Sequence, residues 1–73
     1  MMSDNQRRPL YWESTYEIVL HLMELYPDID LDSLGTKQLL DMVLGLPQFA
    51  DDPRLANETL LNEILREWFE EVR

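Results

Sequence analysis

The chain has no cysteine, one histidine and two glycines among its 73 residues. Without thiols it can form no disulfide, no zinc–thiolate site and no thiol nucleophile. This composition fits a reducing compartment and predicts a cytoplasmic location. The single histidine, His21, has no second histidine with which to complete a metal triad or a proton relay. A glycine-rich phosphate loop is also missing. These absences predict a protein that is not an enzyme.

Long apolar runs are missing as well, and none approaches the length of a membrane span. Residues 1–9 are polar and aperiodic, and they lack the apolar core of a signal peptide. We interpret them as a flexible N-terminal tail, followed by a single helical domain at 10–73. A chain of this length with 45% hydrophobic residues buries one small core. We therefore expect a monomer with no membrane partner.

Basic residues are scarce, since six lysines and arginines face fifteen acids and the formal net charge is −9. A field of this sign repels phosphate backbones and argues against a nucleic-acid partner. It favours basic protein surfaces and hard cations as partners. Charge of this size also serves solubility alone, and composition by itself favours that interpretation.

What the chain does have is helical periodicity in its last third, where the segment after Pro53 contains no glycine or proline. Asn57 is a suitable N-cap because its side-chain oxygen accepts from a free backbone N–H of the first turn. The apolar positions after it fall on one face of a helix, and we expect this face to be buried against the rest of the chain. These positions are Leu61, Ile64, Leu65, Trp68 and Val72.

Two further segments are predicted to be helical. The first follows Trp12, begins with Ser14 and Glu17 in capping-box spacing, and stops before Pro27. The second is short and strongly apolar, with Thr36 as its N-cap and Gly45 at its end. The fold class is therefore mainly all-α, a compact three-helix domain.

The remaining groups with a possible chemical role are clustered carboxylates. The loop at 27–34 alternates acids with apolar residues, as a calcium loop does at its start. Ser33 stands where such a loop requires glycine, and Leu39 stands where it requires a bidentate glutamate, so we exclude an EF-hand. An open, weak site for a cation such as ferrous iron remains. The candidate metal ligands are Glu13, Glu17, Asp28, Asp30, Asp51 and Asp52.

Several short motifs follow one another from Trp12 to the last helix. They are Trp12, Glu17-Ile18, Tyr26-Pro27-Asp28-Ile29-Asp30, Phe49-Ala50-Asp51-Asp52-Pro53, Asn57-Glu58 and Trp68. In order and spacing these motifs resemble the IscX family, small acidic accessory proteins of bacterial iron–sulfur cluster assembly. The resemblance covers Trp12 to about Glu71, without a gap.

The resemblance implies a helical domain related to the winged-helix fold. It also implies binding to a cysteine desulfurase, at a basic surface that bacterial frataxin also uses, with modulation of that enzyme. No tightly bound cofactor is implied, only weak binding of ferrous iron. The acids that match the family, and that we assign to partner binding, are Glu17, Asp28, Asp30, Asp51, Asp52 and Glu58. For Asp52 and Glu58, helix capping is an equally good explanation.

The middle of the chain departs from the family pattern. Met42 stands where a tryptophan is expected, and Ala50 replaces the first aspartate of the acidic turn. Gly45, Pro47 and Gln48 stand where acids are common. We therefore expect a divergent member that keeps its protein partner and has lost some cation affinity. The alternative is an acidic interaction module or a weak iron carrier unrelated to the desulfurase.

Overall fold

A computed structural model describes residues 9–72, so the predicted tail lies, apart from Pro9, outside the described residues. The described chain contains three helices, which we number α1 (Thr15–Leu25), α2 (Thr36–Leu44) and α3 (Glu58–Val72). Short 3₁₀ turns lie in the two loops, at Leu31–Ser33 and Pro53–Leu55. The prediction of a mainly helical, three-helix domain is confirmed.

The third helix carries the centre of the core. α3 packs most extensively on α1 and also on α2. Of its predicted stripe, Leu61, Ile64 and Trp68 are buried in the common hydrophobic cluster. Leu65 is half-buried, and Val72 is 54% exposed, so its predicted burial is wrong. Val72 lies in the last turn of α3, where the helix reaches the edge of the core.

The start of the domain is held against the loop that precedes α3. The Leu10 backbone N–H donates to the Gln48 carbonyl at 2.8 Å, and the Ala50 N–H donates to the Leu10 carbonyl at 2.9 Å. Leu10 and Phe49 thereby form an isolated parallel bridge, the one β element within residues 9–72. The winged-helix relationship is therefore not confirmed and stays a prediction.

Three of the predicted helix ends are confirmed. The Leu60 N–H donates to Asn57 Oδ1 at 2.9 Å, so Asn57 caps α3 as expected. α1 ends at Leu25, just before the proline of the following loop. α2 ends at Leu44 with Gly45 as its C-cap.

Two predicted N-caps are wrong. The Ser14 side chain makes no capping bond, so the capping box with Glu17 does not form. The Ser14 N–H instead closes a turn onto the Tyr11 carbonyl at 2.8 Å, which leaves its backbone away from the extended conformation of a capping residue. For α2 the N-cap is Gly35, with extended backbone, and Thr36 is the first helical residue.

Candidate functional site

Residues 50–52 form the acidic turn, and its Asp51 binds the start of the domain. Asp51 Oδ2 accepts from the Trp12 backbone N–H at 2.9 Å, across 39 residues of sequence. Asp51 Oδ1 accepts from the Asp52 backbone N–H at 2.7 Å. By accepting these two hydrogen bonds at half-buried positions, the Asp51 carboxylate holds the acidic turn against the segment that contains Trp12. Asp51 therefore has a structural role in addition to any role in binding.

The Trp12 side chain makes a second link between the same segments. Its indole Nε1–H donates to the Asp52 carbonyl at 2.9 Å. Its ring meets Phe49 edge to face, with centroids 4.9 Å apart. Trp12 is buried. Its aromatic contact and its hydrogen bond together fix the acidic turn on the core.

Asp52 caps the 3₁₀ turn that follows. Its Oδ1 accepts from the Arg54 backbone N–H at 2.9 Å, and its Oδ2 lies 3.3 Å from the Arg54 guanidinium. The backbone hydrogen bond from Arg54, supported by that side chain, lowers the pKa of Asp52 below its ordinary value of 3.8. The capping role expected for Asp52 is therefore present in the structure.

The lowered pKa of Asp52 predicts a pH-dependent contribution to stability. The unfolded chain binds a proton at this group more readily, so the stabilisation is present above about pH 4 and is lost as pH falls through the lower folded pKa. Asp52→Asn should therefore reduce stability at pH 7 and reduce it less at pH 2.5, where the advantage of the Asp52 carboxylate is smaller. Urea unfolding of both proteins at the two pH values measures this. An equal loss at both values would assign the effect to packing.

The loop after α1 contains the second pair of candidate acids. Asp30 caps its 3₁₀ turn, since Oδ1 accepts from the Asp32 N–H at 3.1 Å and Oδ2 accepts from the Ser33 hydroxyl at 3.0 Å. Asp28 is exposed in the preceding turn, which the Ile29 N–H closes onto a carbonyl at the end of α1. Both carboxylates therefore face water in one ordered loop.

The other candidate acids lie at or near the starts of α1 and α3. Glu13 is exposed just before α1, and Glu17 is half-buried in its first turn. Glu58 is exposed at the start of α3, where the positive end of the helix dipole stabilises it. Within residues 9–72, no three acidic or histidine side chains lie close enough together to hold a metal ion. The predicted set of metal ligands therefore stays a prediction.

Most acidic groups within residues 9–72 have no basic partner in that part of the chain. Residues 9–72 carry fourteen of the fifteen acids and three of the six bases, a formal charge of −11. Over this part of the chain the single ion pair joins Arg54 to Asp52. Burial raises the pKa of Glu67, and the hydrogen bond to Glu71 and the charges of Glu70 and Glu71 raise it further. The protein thus presents mutually repelling carboxylates, which a basic partner would relieve.

The structure also contains an apolar groove that the sequence did not predict. It has a volume of about 390 Å³ and lies between the end of α1, the loop at 26–32 and the last turns of α3. Trp68 and Leu31 line it from the core, and Asp30 and Asp32 also line it. The available sequence signal was the alternation of apolar and acidic residues from Ile29 to Asp32.

The fold and the charge together define a small, strongly acidic helical domain. No helix within residues 9–72 combines the length and the apolar character needed to cross a bilayer. The model of a protein family described as iron–sulphur cluster assembly matches residues 10–73. The chain belongs to this iron–sulphur cluster assembly family, and the resemblance to IscX proteins is confirmed.

The chain is also similar in sequence to a protein from Pseudomonas aeruginosa. It is an uncharacterized protein, 36% identical over 62 residues, and the similarity covers 85% of this chain and 94% of the relative. The similarity therefore extends over nearly the whole of both proteins.

Proposed function

We propose that this protein is a non-enzymatic accessory protein of iron–sulfur cluster assembly that docks, through its acidic surface, on a cysteine desulfurase in the cytoplasm. Membership of the assembly family supports the pathway. The observation that carries the docking proposal is the charge of −11 on residues 9–72, with one ion pair among them. Such a surface complements a basic patch and accelerates association with it.

The acids best placed to contact the partner are those that remain exposed. Asp28, Asp30 and Glu58 are exposed, and none of them forms an ion pair within the described part of the chain. Asp51 and Asp52 are half-buried and hold internal hydrogen bonds, so they present less free carboxylate to a partner. We propose that desulfurase binding depends more strongly on the three exposed acids than on Asp51 and Asp52.

A titration of the fluorescently labelled chain with a purified cysteine desulfurase tests this proposal. We expect saturable binding that weakens roughly fivefold or more between low and moderate salt, because exposed charges are screened within a Debye length of about 8 Å at physiological ionic strength. Absence of binding at low salt would reject the desulfurase as partner. Binding whose affinity does not change with salt concentration would reject docking through the acidic surface.

Charge-neutralising variants locate the binding face. Asp28→Asn and Glu58→Gln should each weaken binding about two- to fivefold, the effect of one exposed ion pair. Asp41→Asn is the matched control, since Asp41 is an exposed acid on α2 outside the candidate set. If the control weakens binding equally, the net charge acts without a defined face.

We further propose that ferrous iron binds this chain weakly, through oxygen ligands alone. The resemblance supports this proposal, and the departure at Ala50 supports low affinity. Anaerobic calorimetry of the purified chain with ferrous ion should give a small, saturable heat with a Kd well above the micromolar range. No heat at millimolar concentrations would remove iron from the function without affecting the desulfurase proposal.

A further inference from the structure

We propose that the apolar groove is a docking site for a basic protein segment, which inserts one or two apolar side chains between flanking lysines or arginines. The groove volume of about 390 Å³ lies in the lower range of sites that enclose a ligand. The proposal concerns the chemistry of the docked segment and does not depend on the desulfurase.

The groove exposes apolar surface that α1 and α3 leave uncovered. Tyr26 is 37% exposed and Val72 is 54% exposed, and both line it. Met23, Ile29 and Phe69 line it too and are half-buried on the edge of the core. An apolar side chain placed there removes this surface from water, which favours binding by about 25 cal/mol for each Å² buried.

Charge decides which segment fits. Asp30 and Asp32 line the groove, and no lysine or arginine within residues 9–72 does so. Neither aspartate forms an ion pair within residues 9–72. An apolar anchor flanked by basic residues therefore gains contacts at both the groove and its acidic edge, whereas an acidic segment is repelled.

The acidic edge is ordered before anything binds. The carboxylate of Asp30 is held by the Asp32 N–H and the Ser33 hydroxyl, and carboxylate lone pairs remain for a further donor. The 3₁₀ turn closes with the Leu34 N–H donating to the Leu31 carbonyl at 3.2 Å. A preformed wall lowers the entropy lost on docking.

The test uses the full-length, ¹⁵N-labelled chain and an acetylated, amidated peptide, Lys-Lys-Leu-Phe-Lys-Lys. The two tryptophans of the chain are internal reporters, because Trp68 lines the groove and the Trp12 indole binds the acidic turn. We expect the peptide to shift the Trp68 indole signal saturably and to leave the Trp12 signal in place. Replacing Leu-Phe by Ser-Ser should weaken binding more than about tenfold.

Two matched pairs of variants separate the groove from the rest of the surface. Val72→Ser should weaken binding about threefold or more, whereas Leu55→Ser should not; Val72 and Leu55 are 54% and 55% exposed, and Val72 alone of the two lines the groove. Asp32→Asn should weaken binding about two- to fivefold, whereas Asp41→Asn should not. The ¹⁵N spectrum of each variant verifies that it is folded.

Three results would overturn the proposal. Equal binding of the serine peptide would show attraction by charge alone. Peptide-induced shifts centred on Trp12 would place the site at the acidic turn. Shifts at the groove that depend on protein concentration, without peptide, would show that a second copy of the chain occupies it. The peptide experiment contains no desulfurase. None of these three results therefore tests whether the chain binds a desulfurase, which the separate titration decides.

Discussion

Asp51→Ala should destabilise the domain by about 2–3 kcal/mol, because it removes a charged acceptor from two backbone N–H groups. One of these belongs to buried Trp12, and the other belongs to Asp52, the next residue along the chain. Substitution leaves the Trp12 N–H without its partner in a place that water reaches poorly. Urea unfolding at pH 7 and 25 °C, followed by circular dichroism, measures the loss.

Two variants show whether the hydrogen bonds are the cause. Asp41→Ala removes one exposed carboxylate from α2 and should change stability by less than about 0.5 kcal/mol. Asp51→Asn keeps one acceptor oxygen but presents an NH₂ group to the second N–H. Its loss of stability should therefore lie between those of Asp41→Ala and Asp51→Ala. If Asp51→Ala were as mild as the control, the link between the acidic turn and Trp12 would contribute little to folding.

This prediction affects how a binding experiment on the acidic turn is interpreted. Asp51 was predicted from sequence to contact a partner and a metal, and the structure shows its carboxylate bonded within the protein. A variant at this position that fails to bind the desulfurase can fail because the turn is displaced. Asp28 is exposed and separates contact from folding better.

The sequence was sufficient to predict the helices because their signals are local. Periodic apolar residues and the Asn57 cap act within a few positions, and the observed α3 follows from them. The wrong predictions at Ser14 and Thr36 concern the start of a helix: the Ser14 N–H closes a turn onto Tyr11, and α2 begins one residue earlier than a Thr36 cap would place it. Burial of Val72 was also wrong, because periodicity does not show where the partner helices end.

Contacts between distant segments were not predictable from one sequence. The hydrogen bond from Trp12 to Asp51 joins residues that are 39 positions apart in the sequence. The bridge from Leu10 to Phe49 joins two segments that are equally far apart. The groove depends on how the end of α1 lies beside the end of α3. Individual residues of the candidate site were therefore named from motifs, whereas their division into half-buried and exposed acids required the structure.

Trp68→Ala should have the largest effect of any substitution considered, a loss of about 3–5 kcal/mol. Trp68 is 1% exposed and is the largest fully buried side chain of the described domain. Proteins have stabilities of roughly 0.05–0.15 kcal/mol per residue, so a chain this short has about 4–11 kcal/mol in total. The variant should therefore lose a large share of its stability, and thermal unfolding followed by the helical circular dichroism signal should show a Tm lowered by roughly 12–40 °C.

The neighbouring aromatic residue provides the control. Phe69 is half-buried and packs at the edge of the core, so Phe69→Ala should cost less than Trp68→Ala. Equal losses would mean that burial in the core does not determine the cost at these positions. Because Trp68 both supports the core and lines the groove, its removal weakens the fold together with any docking site. Loss of binding by Trp68→Ala would therefore be uninformative, whereas exposed Val72 reports on the groove while α3 remains folded.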